Sequence, residues 1–134
     1  MRAYIAGPMS GIPNFNFPAF NKLAAQLRAA GHECFNPAER DIARHAGVDI
    51  SAGNLIGDVA VAVKDHGFSL REALAEDTNY ICLVANAIVM LPGWELSKGA
   101  RAEWHLAVAL GHTVVYLTEI PQAVVQDIQL EQAA

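Results

Sequence analysis

Ala87-Ile88-Val89-Met90-Leu91-Pro92-Gly93-Trp94-Glu95-Leu96-Ser97-Lys98-Gly99-Ala100-Arg101-Ala102-Glu103 is the stretch whose reading decides the fold. Five apolar residues in a row describe a strand buried on both faces, as in a parallel sheet. Pro92-Gly93 ends that strand, and Ser97 is of the type that caps a helix, here one running from Lys98 to Leu110. At 3.6 residues per turn the stripe facing the sheet should be Gly99, Glu103, Leu106, Ala107 and Leu110. Glu103 interrupts it. A carboxylate taken out of water without a partner is costly, so such a residue has an ion pair, a wet cleft or a chemical task. The preceding helix, from Ser69 to Val84, repeats the anomaly: its stripe reads Leu70, Leu74, Ile81 and Val84, with Asp77 in the middle.

Outward from this stretch, strands and helices alternate. Ala3 to Ala6 is a short buried strand ended by Gly7-Pro8, and Met9 to Phe17 is a loop. Pro18 opens a helix reaching about Ala30, with Phe20, Leu23, Ala24 and Leu27 on one face and Gly31 as its C-cap. His32 to Phe35 forms the second strand. Residues 36 to 68 carry mixed charges, four glycines and a brief apolar patch at Val59 to Val63. They read as an irregular insertion, from about residue 38 to 68, with short helical turns. A strand at Thr113 to Leu117 and a terminal helix from Pro121 complete the chain. The pattern predicts a single α/β domain over residues 1–134, a doubly wound, flavodoxin- or Rossmann-like open parallel sheet of four to five strands. The expected order is 2-1-3-4, with helices on both faces.

Composition excludes several classes of function. The 134 residues are 53% hydrophobic and 17% charged, enough for one substantial core. A net charge of −5, with nine Lys and Arg scattered along the chain, offers no basic stripe for a nucleic-acid backbone. Cys34 and Cys82 stand alone among apolar neighbours and read as reduced core thiols of a cytoplasmic protein. The five histidines lack ligand spacing, so no metal is expected. The longest apolar run, Tyr80 to Pro92, falls short of the ~20 residues of a membrane helix, and Gly7-Pro8 cuts short any signal peptide.

In open parallel sheets ligands bind beyond the carboxyl ends of the strands, where the strand order reverses. Here that point lies between the first and third strands, and the loops meeting there are Gly7-Pro8-Met9-Ser10-Gly11 and Pro92 to Ser97. Glu103 stands about one and a half turns into the helix that leaves the second loop. Ser10, Gly11, Ser97 and Gly99 offer hydroxyls, close backbone approach and helix-start amides to an oxyanion. Trp94, Phe15 and Phe17 could stack on a flat ligand or close the pocket. Each residue also has a plainer reading. The two carboxylates could be ion-paired with Arg2, Arg28, Arg71 or Arg101, Ser97 could be only an N-cap, and Tyr4 and Trp94 could be packing residues.

Tyr4-Ile5-Ala6-Gly7-Pro8, followed by an Asp-bearing helix, an apolar strand and Ser97-x-Gly99-Ala100-x-x-Glu103, resembles the nucleoside 2-deoxyribosyltransferase superfamily. That group includes hydrolases that cut the N-glycosidic bond of nucleoside 5′-monophosphates. Within it, Tyr-Ile-Ala-Gly-Pro-Met-Ser-Gly near the start and Leu-Pro-Gly-Trp-Glu-x-Ser-x-Gly-Ala near the end are similar to a largely uncharacterised, often phage-borne branch. The resemblance implies Glu103 as the nucleophile that attacks C1′ and forms a glycosyl ester, consistent with a half-buried carboxylate on a rigid helix. It implies Asp77 as the carboxylate that contacts the base and assists its protonation, and Tyr4 as the residue that orients the nucleophile. No cofactor is implied. The expected partners are a nucleotide or nucleoside substrate, contacted also by Gly7 and Pro8, and a second copy of the chain.

Two departures bear on the substrate. Transferases acting on free nucleosides carry an Asp six residues before the nucleophile, where this chain has Ser97. Monophosphate hydrolases have a serine there for the phosphate, which tilts the expectation toward 5′-nucleotides. Asn86 stands where relatives often have Asp. It could still hydrogen-bond a ligand, and it keeps open the alternative of a nucleotide-binding or sensing module without catalysis.

Overall fold

Nine elements build the fold in the computed structural model, which describes residues 1–119; the expected helix from Pro121 lies outside them. Strand β1 (Arg2–Ala6) is followed by helix α1 (Phe17–Ala29), β2 (Glu33–Phe35), α2 (Pro37–Arg44), α3 (Val59–His66), α4 (Leu70–Leu83), β3 (Ala87–Met90), α5 (Lys98–Ala109) and β4 (Thr113–Tyr116). The four strands form a parallel sheet in the order β2-β1-β3-β4. This is the doubly wound arrangement the alternation predicts, with its switch point between β1 and β3.

The central strands are buried on both faces because helices cover both. On one face Ala3, Ile5, Val89 and Leu91 pack against Phe20, Leu23, Ala24 and Leu27 of α1. On the other, Tyr4, Ala6, Ile88 and Met90 meet Ile81 of α4 and Ala100 and Ala107 of α5. Gly31, with φ 88°, turns the chain out of α1 as a left-handed C-cap. Gly7 is required by packing, since a Cβ there would lie 2.7 Å from the Leu91 Cβ.

The segment expected to be irregular contains two helices of eight residues each. Both are capped as short helices require. Asn36 accepts from the Ala38 amide ahead of Pro37, and Asp58 accepts from the Ala60 amide, while Gly67 closes α3 in the left-handed region. The loop between them is latched onto the loop after β1. The Gly11 amide donates to the Gly57 carbonyl at 2.9 Å and the Asn14 amide to the Asn54 carbonyl at 2.8 Å. Gly57 permits the contact, because a Cβ there would sit 2.3 Å from the Ile12 carbonyl oxygen.

Three expectations about the helices need correction. The buried stripe of α4 is Ala73, Asp77 and Ile81; Leu70 is exposed at the first turn, and Val84 is exposed where the backbone has already left the helix. On α5 the stripe is Ala100, Glu103 and Ala107, with Leu110 exposed beyond the last turn. Cys82 is exposed rather than a core thiol, because it sits a hundred degrees round the helix from Ile81, and Cys34 is half-buried. No helix among the described residues is long and apolar enough to cross a membrane.

Candidate active site

Glu103 and Asp77 are buried because the two helices that carry them pack side by side on one face of the sheet. Tyr4, on β1, points up from that same face. Its hydroxyl donates to Glu103 Oε2 at 2.5 Å, a short charge-assisted contact. Phe35 stacks on the Tyr4 ring at 5.4 Å and fixes its position. Glu103 and Asp77 take part in no ion pair among the described residues, so the arginine partners that could have explained them do not. Arg28 pairs with Glu39 instead, and the Arg2 Nε donates to the Val84 carbonyl.

These residues line a cavity of about 710 Å³ at the carboxyl ends of β1 and β3. Gly7, Pro8, Ser10, Phe15, Ser97 and Gly99 line it as well. Ser97 Oγ accepts from the Ala100 amide at 3.1 Å, so it caps α5 while its residue borders the cavity. The amides of Lys98 and Gly99, in the first turn, have no partner within the helix ladder and face the same end. Phe15 enters through a turn in which Asn14, Phe15 and Asn16 all have φ between 51° and 59°. Three successive non-glycine residues in the left-handed region are strained, and the latch to Asn54 and the bond from Asn16 Nδ2 to the Pro8 carbonyl hold them there.

Four residues singled out in the sequence lie elsewhere. Gly11 is not on the cavity wall; with φ 82° it makes the turn and the Gly57 latch. Phe17, the first residue of α1, belongs to the core on that helix's face of the sheet. Asn86 is at the amino end of β3, where its Oδ1 accepts from the Arg2 amide at 2.8 Å, so the whole strand separates it from the cavity. Trp94 turns away in a short 3-10 turn and stacks with Trp104 and Tyr116, at 5.6 and 5.9 Å.

Among the lining residues the sequence reading did not place in the site, one is a buried carboxyl. Asp41, on α2, is 5% exposed and faces the cavity near Asp77. It is ion-paired with Arg44, which also bonds Glu76 at 2.8 Å, and Arg40 bonds Glu76 at 3.0 Å. Since Glu76 precedes Asp77, this network sets α2 against α4 and brings Asp41 beside Asp77. The signal was present in Asn36-Pro37-Ala38-Glu39, a cap, a first-turn proline and a third-position glutamate, which starts a helix whose buried stripe contains Asp41.

Burial shapes the electrostatics. Desolvation raises the Glu103 carboxyl well above the usual range, the charge of Asp77 adds to the rise, and the Tyr4 hydrogen bond opposes it. Asp77 is raised for the same first reason, with Asp41 adding repulsion. Asp41 itself is pushed up to about 6 by burial, although Arg44 opposes the shift. Tyr4 is raised further from ionisation by burial and by the carboxylates. Asp77 is 7% exposed and its Oδ1 has no hydrogen-bond partner. The pair therefore holds a proton at pH values where ordinary carboxyls have lost theirs. No group of three or more His, Cys, Asp or Glu side chains among the described residues could hold a metal ion.

The chain belongs to the family described as a domain of unknown function (DUF4406), which matches residues 1–116. No curated protein and no solved structure matches it significantly.

Proposed function

We propose that this member of the DUF4406 family cleaves or transfers at the N-glycosidic bond of a nucleotide, in the manner of the nucleoside 2-deoxyribosyltransferase superfamily, with hydrolysis of a 5′-monophosphate preferred. The observation that carries the reading is Glu103, buried, bonded to Tyr4 and set beside a partnerless Asp77 oxygen in a cavity at the switch point. Neither fold nor packing needs two buried carboxyls there, and their mutual repulsion costs stability.

The pair divides the labour of acid and nucleophile. Burial pushes Glu103 up to about 8 and Asp77 up to about 7, so the pair shares a proton, and the reacting form is the one in which Tyr4 supports the Glu103 charge and the proton sits on Asp77. A Glu103 oxygen attacks C1′ and forms the ester. The C1′–N bond breaks with its electrons passing to the base, which takes the Asp77 proton. Water then attacks C1′, gives its proton to the Asp77 carboxylate and releases Glu103; a second base in place of water gives transfer. Two displacements retain configuration. Ser10, Ser97, the first-turn amides of α5 and the Lys98 ammonium suit a 5′-phosphate. No cofactor is needed to balance these steps. A homodimer is part of the proposal, and exposed Leu83, Val84, Val108 and Leu110, on or just past the ends of α4 and α5, supply apolar surface for it.

Chromatography of nucleosides and their 5′-monophosphates incubated with the protein tests the reading through released free base. A slow 2-fluoro-substituted analogue should leave a sugar on Glu103, detected by mass spectrometry. Base release without labelling at Glu103 rejects the covalent route. Nucleotide binding with no release hands the site to a sensing role.

A further inference from the structure

The mechanism above leaves Asp41 without a task, although it is as buried as the carboxyls it stands beside. It occupies the cavity wall next to Asp77, held there by Arg44. Arg44 keeps a charge of opposite sign on it, so Asp41 is the member of the group that stays an acceptor. Asp77, whose buried Oδ1 has no partner and whose carboxyl burial pushes up to about 7, supplies the donor. From this point the wall changes character. Beyond Asp41 the segment through residue 68 contributes only Ile50, Val59, Ala62 and Phe68 to the cavity, and Phe15 closes it from the other side. A flat ring lying between these apolar groups meets side-chain hydrogen-bond partners on this wall at Asp41 and Asp77. The edge facing them meets one donor and one acceptor side by side.

We infer that the site selects amino bases over oxo bases: Asp77 donates to a ring nitrogen and Asp41 accepts from the exocyclic amino group beside it. This rests on the proposed function, and it names the substrate class for that site. Adenine presents this edge as N7 and the 6-amino group, and cytosine as N3 and the 4-amino group. Guanine and hypoxanthine place a carbonyl oxygen where the amino group would be, against the Asp41 carboxylate. Uracil and thymine place a carbonyl there and an N–H on the ring nitrogen. A buried acceptor left facing another acceptor rejects the wrong ligand strongly, because neither group has water to turn to. The arrangement also joins recognition to chemistry. The ring nitrogen that receives the Asp77 hydrogen bond is the atom to be protonated as the base departs, so the edge that is read is the edge that reacts.

The test compares matched pairs that differ at one position: the 5′-monophosphates of adenosine and inosine, and of cytidine and uridine, each in ribo and 2′-deoxy forms. Wild-type protein should release the amino base with kcat/KM at least about tenfold above its oxo partner in the pair it accepts. Asp41→Asn keeps the shape and can present an N–H, so its preference should invert toward the oxo base. Binding of the same pairs to Glu103→Gln, by titration calorimetry, reads recognition apart from turnover. Amino-selective binding without any base release by the wild type would sink the glycosidase reading and leave base-edge recognition standing. Base release with equal or reversed preference in the wild type overturns the inference and leaves the glycosidase reading intact. Because the wild-type comparison needs no variant, a misfolded Asp41→Asn protein does not remove the test. Absence of any nucleotide binding overturns both.

Discussion

The two faces of the sheet are built from different materials. The α1 face is closed by Phe20, Leu23 and Leu27, each at most 1% exposed, and no carboxyl is buried among them. The α4–α5 face spends its equivalent positions on Ala73, Ala100 and Ala107, which allow close approach, and on Asp77, Glu103 and the Tyr4 hydroxyl. One face supplies dispersion and apolar burial, while the other gives up part of that gain to hold two carboxyls away from water. The difference teaches where stability and chemistry separate in this chain. Substitutions on the first face should be felt in folding, and substitutions on the second in turnover.

The largest expected effect is on the chemical face. Glu103→Gln should lower base release by at least about 10³-fold while ligand affinity changes little, because shape and hydrogen bonding survive and only the attacking charge is lost. Its melting temperature should hold or rise. A variant that unfolds but turns over normally per folded molecule would erase the division. On the opposite face, Leu23→Ala should cost roughly 2–5 kcal/mol by chemical denaturation, from lost burial and a cavity, with kcat of the folded fraction unchanged.

Proton linkage gives a subtler contrast. Glu103, Asp77 and Asp41 all titrate higher in the folded protein than as free carboxyls, mainly through desolvation. The folded state thus binds more protons than the unfolded state through this range. Their contribution to stability is fully present below the ordinary carboxyl range and is lost as pH rises through the folded values. Melting temperature should therefore fall between about pH 5 and pH 8, and Glu103→Gln should flatten that slope. A slope of the opposite sign in the wild type would contradict the burial argument. The smallest effect belongs to Asn86→Ala, at the far end of the sheet. It should cost about 1 kcal/mol, the value of one hydrogen bond to the Arg2 amide, with base release unaltered. A loss of activity there would break the distinction between the two ends of β3.

Much of this division was legible without coordinates, for a physical reason. Glu103 and Asp77 stand out because a helical stripe tolerates few exceptions, and a carboxylate in one is conspicuous. The strand order followed because buried parallel strands read as unbroken apolar runs. Residues 36–68 were obscure because two eight-residue helices give too few turns for a periodicity, and their caps carry the information instead. Asp41 was hidden with them. Trp94 and Asn86 misled for another reason: each borders an element that reaches the site, yet side-chain direction is set by the turn geometry at one and by the strand polarity at the other.

The latch between Gly11–Asn14 and Asn54–Gly57 joins two stretches some forty residues apart through backbone groups alone. Neither loop can lift from the cavity without the other losing its partners, so the mouth of the site is one cooperative unit rather than two independent flaps. Many side-chain changes there can retune what the cavity accepts without untying the latch, whereas a residue larger than glycine at position 57, or a proline at position 11 or 14, would cut it. The segment least readable in sequence is thereby tied to the frame of the pocket through its backbone and not through its side chains.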